Sequence, residues 1–359
     1  MQSRPYSRRS FLKLAALTVG SVSLPGVVAA CAGATPSASP LASRSSGSSL
    51  TPASLAPATV KAQIGTQNVE YAGVFAAETE GYFKADAITD QLLAYGPNVQ
   101  PVTVVAGGGA LVGIVGGADT FLKAYASGIP VQAIGVMDQK APSGLLSLAK
   151  NPIHTMKDAV GKKIGLQSGA RGPWATIVEL NGLKTSDFTI VPVEFDPTPL
   201  VQGQVDGFWS YAYNQPIALQ AKGLDVVFMT AFDAGYKFYG DVIFATEQAI
   251  SSSADVLARW LAATAQGWTY AFANPAAVAK ETVDRSPSLD LDVTQQTAQL
   301  KAEQEFMTSS DTTQHGLYWM DEAVWQAGID ILTSQKALQK PVTAAEIMTL
   351  SVLQQSGIH

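Results

Sequence analysis

The 359-residue chain has one cysteine, Cys31, and three histidines, His154, His315 and His359. A single thiol excludes an internal disulfide and a thiolate metal cluster. The histidines stand far apart, without the spacing of metal ligands. Charge is scarce as well: 14% of residues are charged and 47% hydrophobic, ample material for a core. The formal net charge is −6, and four of the 23 basic residues (Arg4, Arg8, Arg9, Lys13) fall in residues 1–30, which hold no acid. The rest of the chain therefore carries 19 basic against 29 acidic residues. An acidic, evenly mixed body argues against nucleic acid as a partner. After residue 30 no stretch is apolar and long enough to span a bilayer.

What is present starts with Ser7-Arg8-Arg9-Ser10-Phe11-Leu12-Lys13, followed by the uncharged run Leu14 to Ala30. Gly20, Pro25 and Gly26 interrupt that run, which is short for a membrane span. Small residues, Val28-Ala29-Ala30, lead directly to Cys31. The segment resembles a twin-arginine export signal joined to a bacterial lipoprotein cleavage box. The resemblance implies that Arg8 and Arg9 are the export motif and that residues 1–30 are removed. Cys31 would then carry lipid, anchoring the chain to the outer face of the cell membrane, and the body would fold before export. With Cys31 so engaged, no cysteine is left for catalysis. Residues 31–58 are rich in Ser, Ala and Pro and predict a disordered tether with a reach of roughly 30 Å.

Order is expected from Val60. Val60–Gly65 alternates like a strand, Val74–Phe83 reads as a helix ended by Gly81, and further strands follow near Ile88–Tyr95, Leu111–Val115 and Val131–Val136. Gly107-Gly108-Gly109 lies at a helix end before a strand, which fits a cap and turn and not a dinucleotide fingerprint. The pattern restarts at Met156, with strands at Phe188–Val193, Asp206–Trp209 and Asp225–Phe228. From Ser253 the chain reads as helical, with Trp260, Trp268, Trp319 and Trp325 on core-facing positions. Strands alternating with helices predict an α/β protein with largely parallel sheets.

Several segments carry a resemblance in their order and spacing: Asn68-Val69-Glu70-Tyr71-Ala72-Gly73, Glu80-Gly81-Tyr82-Phe83, Ser127-Gly128-Ile129-Pro130, Met156 to Gly165, Gly203-Gln204-Val205-Asp206-Gly207 and Tyr213-Asn214-Gln215-Pro216. Together they resemble the type II periplasmic solute-binding proteins of ABC importers, in the branch that captures thiamine-pyrimidine precursors, aliphatic sulfonates, nitrate and riboflavin. The resemblance implies a two-lobed periplasmic-binding-protein type II fold with mixed, mainly parallel sheets and a helical C-terminal part. Residues 59–145 would begin lobe I, 146–235 form lobe II, and 236–359 complete lobe I. It also implies a small-molecule ligand gripped by hinge closure, a permease partner, a monomer and no cofactor.

In open parallel sheets ligands bind beyond the C-terminal strand ends. Those ends are rich in aromatics, which suits a flat heterocycle held by stacking and edge hydrogen bonds. Trp174, Trp209, Tyr213 and Tyr239 are the stacking candidates. Asn68 and Tyr71 match ligand-holding positions of the resembled family; Asn68 would otherwise make an Asx turn. Asp119 pairs with a ligand amine or caps its helix. Gln139 offers an amide, and Ser168, with Arg171 nearby, an anion site at a helix start. Gln215 stands where pyrimidine-binding relatives often carry an acid, which leaves room for a flavin-like ligand. The main expectation is thus a thiamine pyrimidine precursor or a riboflavin-like ligand, with an aliphatic sulfonate such as taurine, or nitrate, as the alternative. A pyrimidine-precursor synthase of related fold would need a cysteine-rich segment that is missing here, and an adhesion lipoprotein would show no saturable ligand.

Overall fold

β1 (Ala58–Gln63) shows how the sequence builds the protein: Val60 and Ala62 are buried while Thr59 and Lys61 face solvent. The computed structural model describes residues 55–65, 67–96 and 99–358. Arg8, Arg9, Cys31 and most of the expected tether lie outside the described residues. β1 begins at Ala58, two residues before the expected onset of order.

Nine more strands are described: β2 (Ile88–Leu92), β3 (Val112–Val115), β4 (Val131–Val136), β5 (Ser143–Leu148), β6 (Lys163–Leu166), β7 (Thr189–Pro192), β8 (Gly207–Tyr211), β9 (Val226–Thr230) and β10 (Val242–Thr246). They form two five-stranded sheets, ordered β2-β1-β3-β10-β4 and β7-β6-β8-β5-β9. In each sheet one strand runs against the others: β10 in the first and β5 in the second. Each is the strand the chain makes immediately after passing from one sheet to the other. β5 is buried along its whole length, as befits an inner strand covered on both faces.

Residues 137–142 and 231–241 are the two crossings between the sheets. Because β5 lies wholly in the second sheet, the first crossing precedes it, and the boundary expected at 145/146 falls inside a strand. The crossings lie side by side. Met137 N–H donates to Asp241 O at 2.8 Å, Gly240 N–H to Asp138 O at 3.0 Å, and Ala141 N–H to Phe238 O at 2.8 Å.

The C-terminal part is helical: Glu247–Ala273, Pro275–Arg285, Val293–Met307 and Glu322–Ser334 are its longer helices. Helix Glu247–Ala273 packs closely on Ala72–Thr79, and two glycines permit the approach. A Cβ on Gly267 would lie 1.9 Å from the Gly73 carbonyl oxygen, and one on Gly73 would lie 2.3 Å from the Trp268 ring. Trp260, Trp268 and Trp325 are core residues, as their helical positions predict. Trp319 is only half-buried and stacks on His315 at 4.0 Å. One apolar cluster runs through both lobes, from Phe121 and Val242 to Trp174 and Trp209, so the lobes are packed together.

Candidate ligand-binding cleft

After β1 the chain turns into a 3-10 turn, Val69–Tyr71, that feeds helix Ala72–Thr79. The Asn68 side chain accepts from Glu70 N–H at 3.1 Å, and Gln296 Oε1 accepts from Val69 N–H at 3.2 Å. These contacts set Glu70 against Asn214 of the second lobe and Tyr71 against Asp241 of the second crossing. At and just beyond the end of β8 the opposite wall supplies Tyr211, Tyr213 and Asn214. Tyr211 and Tyr213 meet edge to face, 5.8 Å between ring centres, and Tyr213 meets Phe306 in the same way at 5.6 Å.

Between these walls lie the carboxylates of Glu70, Asp138, Asp241 and Glu303. Asp138 sits on the first crossing, Asp241 on the second, and Glu303 on helix Val293–Met307. Tyr213 OH donates to Asp138 Oδ2 at 3.4 Å, Asn214 Nδ2 to Glu70 Oε1 at 3.4 Å, and Tyr71 OH to Asp241 Oδ2 at 3.5 Å. The Asn214–Glu70 bond joins the lobes, and the Tyr213–Asp138 bond ties the second lobe to a crossing. Asp138 and Glu303 are each only 1% exposed. Asp138 Oδ1, Asp241 Oδ1, Glu303 Oε2 and the Tyr236 hydroxyl are buried without a hydrogen-bond partner. No ion pair among the described residues reaches any of the four acids.

The electrostatics follow from that placement. Loss of hydration, then the Asp241 charge, raises Glu70 to about 7, against hydrogen bonds from Asn68 and Asn214. Burial lifts Asp241 to about 6, opposed by the Tyr71 hydroxyl. Asp138 and Glu303 are pushed well above the ordinary carboxylate range, first by burial and then by neighbouring acids. Burial and the same carboxylates hold the Tyr71, Tyr211 and Tyr213 phenols firmly protonated. The cleft therefore offers buried acceptors and phenol hydroxyls, and it opposes an anion.

Of the residues singled out from sequence, Tyr71 and Tyr213 lie in this cluster. Asn68 caps the turn beside it. Asp119 is buried next to it and pairs with Lys123 at 2.8 Å. Others are occupied elsewhere. Gln139 donates to Trp319 O at 3.0 Å and accepts from Ser309 at 3.1 Å, which ties it to the C-terminal segment. Tyr239 OH accepts from Asp321 N–H at 2.8 Å, and its ring packs on Trp325. Gln215 accepts from Ser210 at 2.6 Å and donates to Phe195 O at 3.1 Å. Trp174 is 1% exposed, held edge to face against Phe188 and Trp209, so its faces pack in the core. Trp209 is buried with it, and Ser168 and Arg171 are exposed at a helix start.

Sequence reading missed Glu70, Asp138, Asp241 and Glu303. The available signal was positional: Glu70 lies inside the Asn68–Gly73 segment, and Asp138 and Asp241 each adjoin an apolar strand. Two surface cavities, about 550 and about 290 Å³, lie elsewhere, near the C-terminal Ile358, and contain none of these residues.

Two α/β sheets joined by paired crossings, with polar groups facing one another between them, define the periplasmic-binding-protein fold in its type II arrangement. Residues 68–278 match the family described as NMT1/THI5 like, and the chain belongs to that family. The alkanesulfonate-binding protein SsuA from Xanthomonas axonopodis pv. citri, bound to MOPS, has the same fold: its TM-score is 0.62 at 18% identity, over 82% of this chain and 98% of that one. Riboflavin-binding protein RibY of Chloroflexus aurantiacus is 23% identical over 291 residues, 79% of this chain and 82% of RibY. A 4-amino-5-hydroxymethyl-2-methylpyrimidine phosphate synthase of Schizosaccharomyces pombe is 30% identical over 150 residues, 41% of this chain and 43% of the synthase.

Proposed function

We propose that this protein is the exported, lipid-anchored solute-binding component of an ABC importer, and that it captures a small planar heterocycle between its lobes. The observation that carries the reading is the placement of Asp138 and Asp241 on the two crossings, facing Tyr211 and Tyr213 of the other lobe. A ligand seated there touches both lobes and the hinge at once, so its contacts stabilise the closed form. A permease then reads the closed shape, and no chemical step is needed. Such a body works as a binding protein and not as an enzyme. The family membership and the likeness to RibY support this reading; fold alone does not decide it.

Within that reading, the acid-lined cleft favours ligands with hydrogen-bond donors, such as a thiamine pyrimidine precursor, over an aliphatic sulfonate, taurine or nitrate. Native mass spectrometry of protein purified without denaturation, followed by calorimetry with pyrimidine precursors, riboflavin, taurine and nitrate, tests it. Saturable binding of a heterocycle with compaction in small-angle scattering is expected. Tight binding of taurine or nitrate alone would sink the ligand class, and turnover of any candidate would sink the binding-protein reading.

A further inference from the structure

We infer that the cleft takes its solute as a cation, an amidine or a protonated amino-heterocycle, and that Asp138 and Asp241 are the residues that read its charge. The inference rests on the solute-capture reading and specifies the chemistry of that site.

The two crossings are hydrogen-bonded to each other along their length, which sets these carboxylates side by side at the hinge. Gly240 makes the room: a Cβ there would lie 2.5 Å from Asp138 Oδ2. Gly116, just after β3, borders the same groups. A Cβ on it would sit in ordinary contact, 3.5 Å from the Tyr211 hydroxyl and 3.6 Å from Asp241 Oδ1, so the bare backbone of Gly116 flanks both atoms. Asp138 Oδ1 and Asp241 Oδ1 are buried acceptors with no donor. Leaving such atoms unpaired is costly, and a bound N–H group on each would relieve it.

Among the described residues none supplies the balancing charge. Lys123 is paired with Asp119. Lys140, on the same crossing as Asp138, sits over the Phe306 ring at 4.8 Å. The other titratable groups around the pair are the acids Glu70 and Glu303, which burial and their neighbours push toward the neutral form, and the Tyr71, Tyr211 and Tyr213 phenols, which stay neutral. A cation with N–H donors meets the free acceptors and stabilises the ionised form of these acids, whereas an anion gains no cationic partner and works against any acid that is ionised.

Three planar probes of similar outline separate the charges: benzamidinium, benzamide and benzenesulfonate. In calorimetry on the purified protein near neutral pH, benzamidinium should bind at least about tenfold tighter than benzamide, and benzenesulfonate should give no binding. Asp138→Asn and Asp241→Asn should each reduce the benzamidinium preference by about tenfold while retaining a cooperative melt. Should either variant fail to fold, the wild type supplies the same readout. Its affinity for benzamidinium should rise from about pH 5 to about pH 7.5 as Asp241 and Glu70 ionise through about 6 and about 7, and its affinity for benzamide should not. Equal or tighter binding of benzamide or benzenesulfonate, or no benzamidinium binding at millimolar concentration, overturns the inference. A neutral or anionic solute recovered by native mass spectrometry would overturn it and leave solute capture standing; no ligand and no closure with any compound would remove both.

Discussion

The hydroxyl of Tyr213, from the second lobe, reaches the carboxylate of Asp138 on the first crossing at 3.4 Å. At that length the hydrogen bond is longer than a good O–H···O bond and weak, and the other acid oxygen has no partner at all. The same relation recurs between Asn214 and Glu70. Polar groups of both lobes thus meet around a set of unmet acceptors, the arrangement expected where a solute completes the closed form.

Tyr213→Phe isolates that contact, because the ring packing on Phe306 is kept. If the contact tightens when a solute completes the site, its loss should cost closure about 1 kcal/mol, a roughly fivefold loss of solute affinity with little change in the melt of the ligand-free protein. Calorimetry with the solute recovered from the native protein measures it. An unchanged affinity would remove Tyr213 from the site.

Gly267→Ala tests how the site is held from behind. The new Cβ would meet the Gly73 carbonyl oxygen at 1.9 Å, and both glycines sit in helical backbone that cannot give locally. Overpacking of this kind costs about 1–3 kcal/mol or more. The displaced helix begins at Ala72, directly after Glu70 and Tyr71, so solute affinity should fall along with the denaturant midpoint. A stable variant with full affinity would show that the helix pair tolerates a wider spacing.

Trp174→Ala separates core from cleft. The indole is enclosed by Phe188 and Trp209, so truncation should lower stability by about 3–5 kcal/mol. Trp174→Phe should recover most of that loss. Were Trp174→Ala instead to keep its denaturation midpoint and lose only solute binding, the indole would belong to the ligand.

Much of the fold was legible because its signals are local. The alternation of Val60 and Ala62, the glycine punctuation at Gly81 and Gly107, and the helical spacing of Trp260 and Trp268 all depend on neighbours within a few turns. Tyr71 and Tyr213 were legible as strand-end aromatics. The carboxylates were not, because their meaning is made by the crossings: Asp138 and Asp241 are over a hundred positions apart and become neighbours only when both crossings are laid together. Gln139 and Tyr239 show the converse. Each adjoins the site in sequence, yet each is claimed by the C-terminal segment, Gln139 by Ser309 and Trp319 and Tyr239 by Asp321.

The proposed anchor has its own test. Cys31→Ser removes the only thiol in the chain, and the lipid would go with it. Replacing Arg8 and Arg9 with lysine should stop export by the twin-arginine route. Fractionation should find wild type in the membrane pellet and the arginine variant inside the cell. The Cys31→Ser chain should lose its lipid label; a label that persists would put the lipid elsewhere.

Stability of the ligand-free protein should fall as pH rises from about 5 to about 8. Asp241 is raised from 3.8 to about 6 and Glu70 from 4.5 to about 7. An acid whose folded pKa lies above its unfolded value binds its proton more tightly when folded. Its contribution is complete below the unfolded pKa and is lost as pH climbs through the folded one. Acids shifted the other way, such as Asp158 and Glu346 in their capping boxes, lose their contribution only as pH falls below their ordinary range, so they do not mask the trend. Asp241→Asn carries no charge at any pH and also relieves Glu70, so it should flatten the slope and raise the melting temperature above wild type at pH 8. Melting curves of both proteins across this range decide the matter, and a wild-type melt that climbs with pH would mean that the four acids are not crowded together in the ligand-free state.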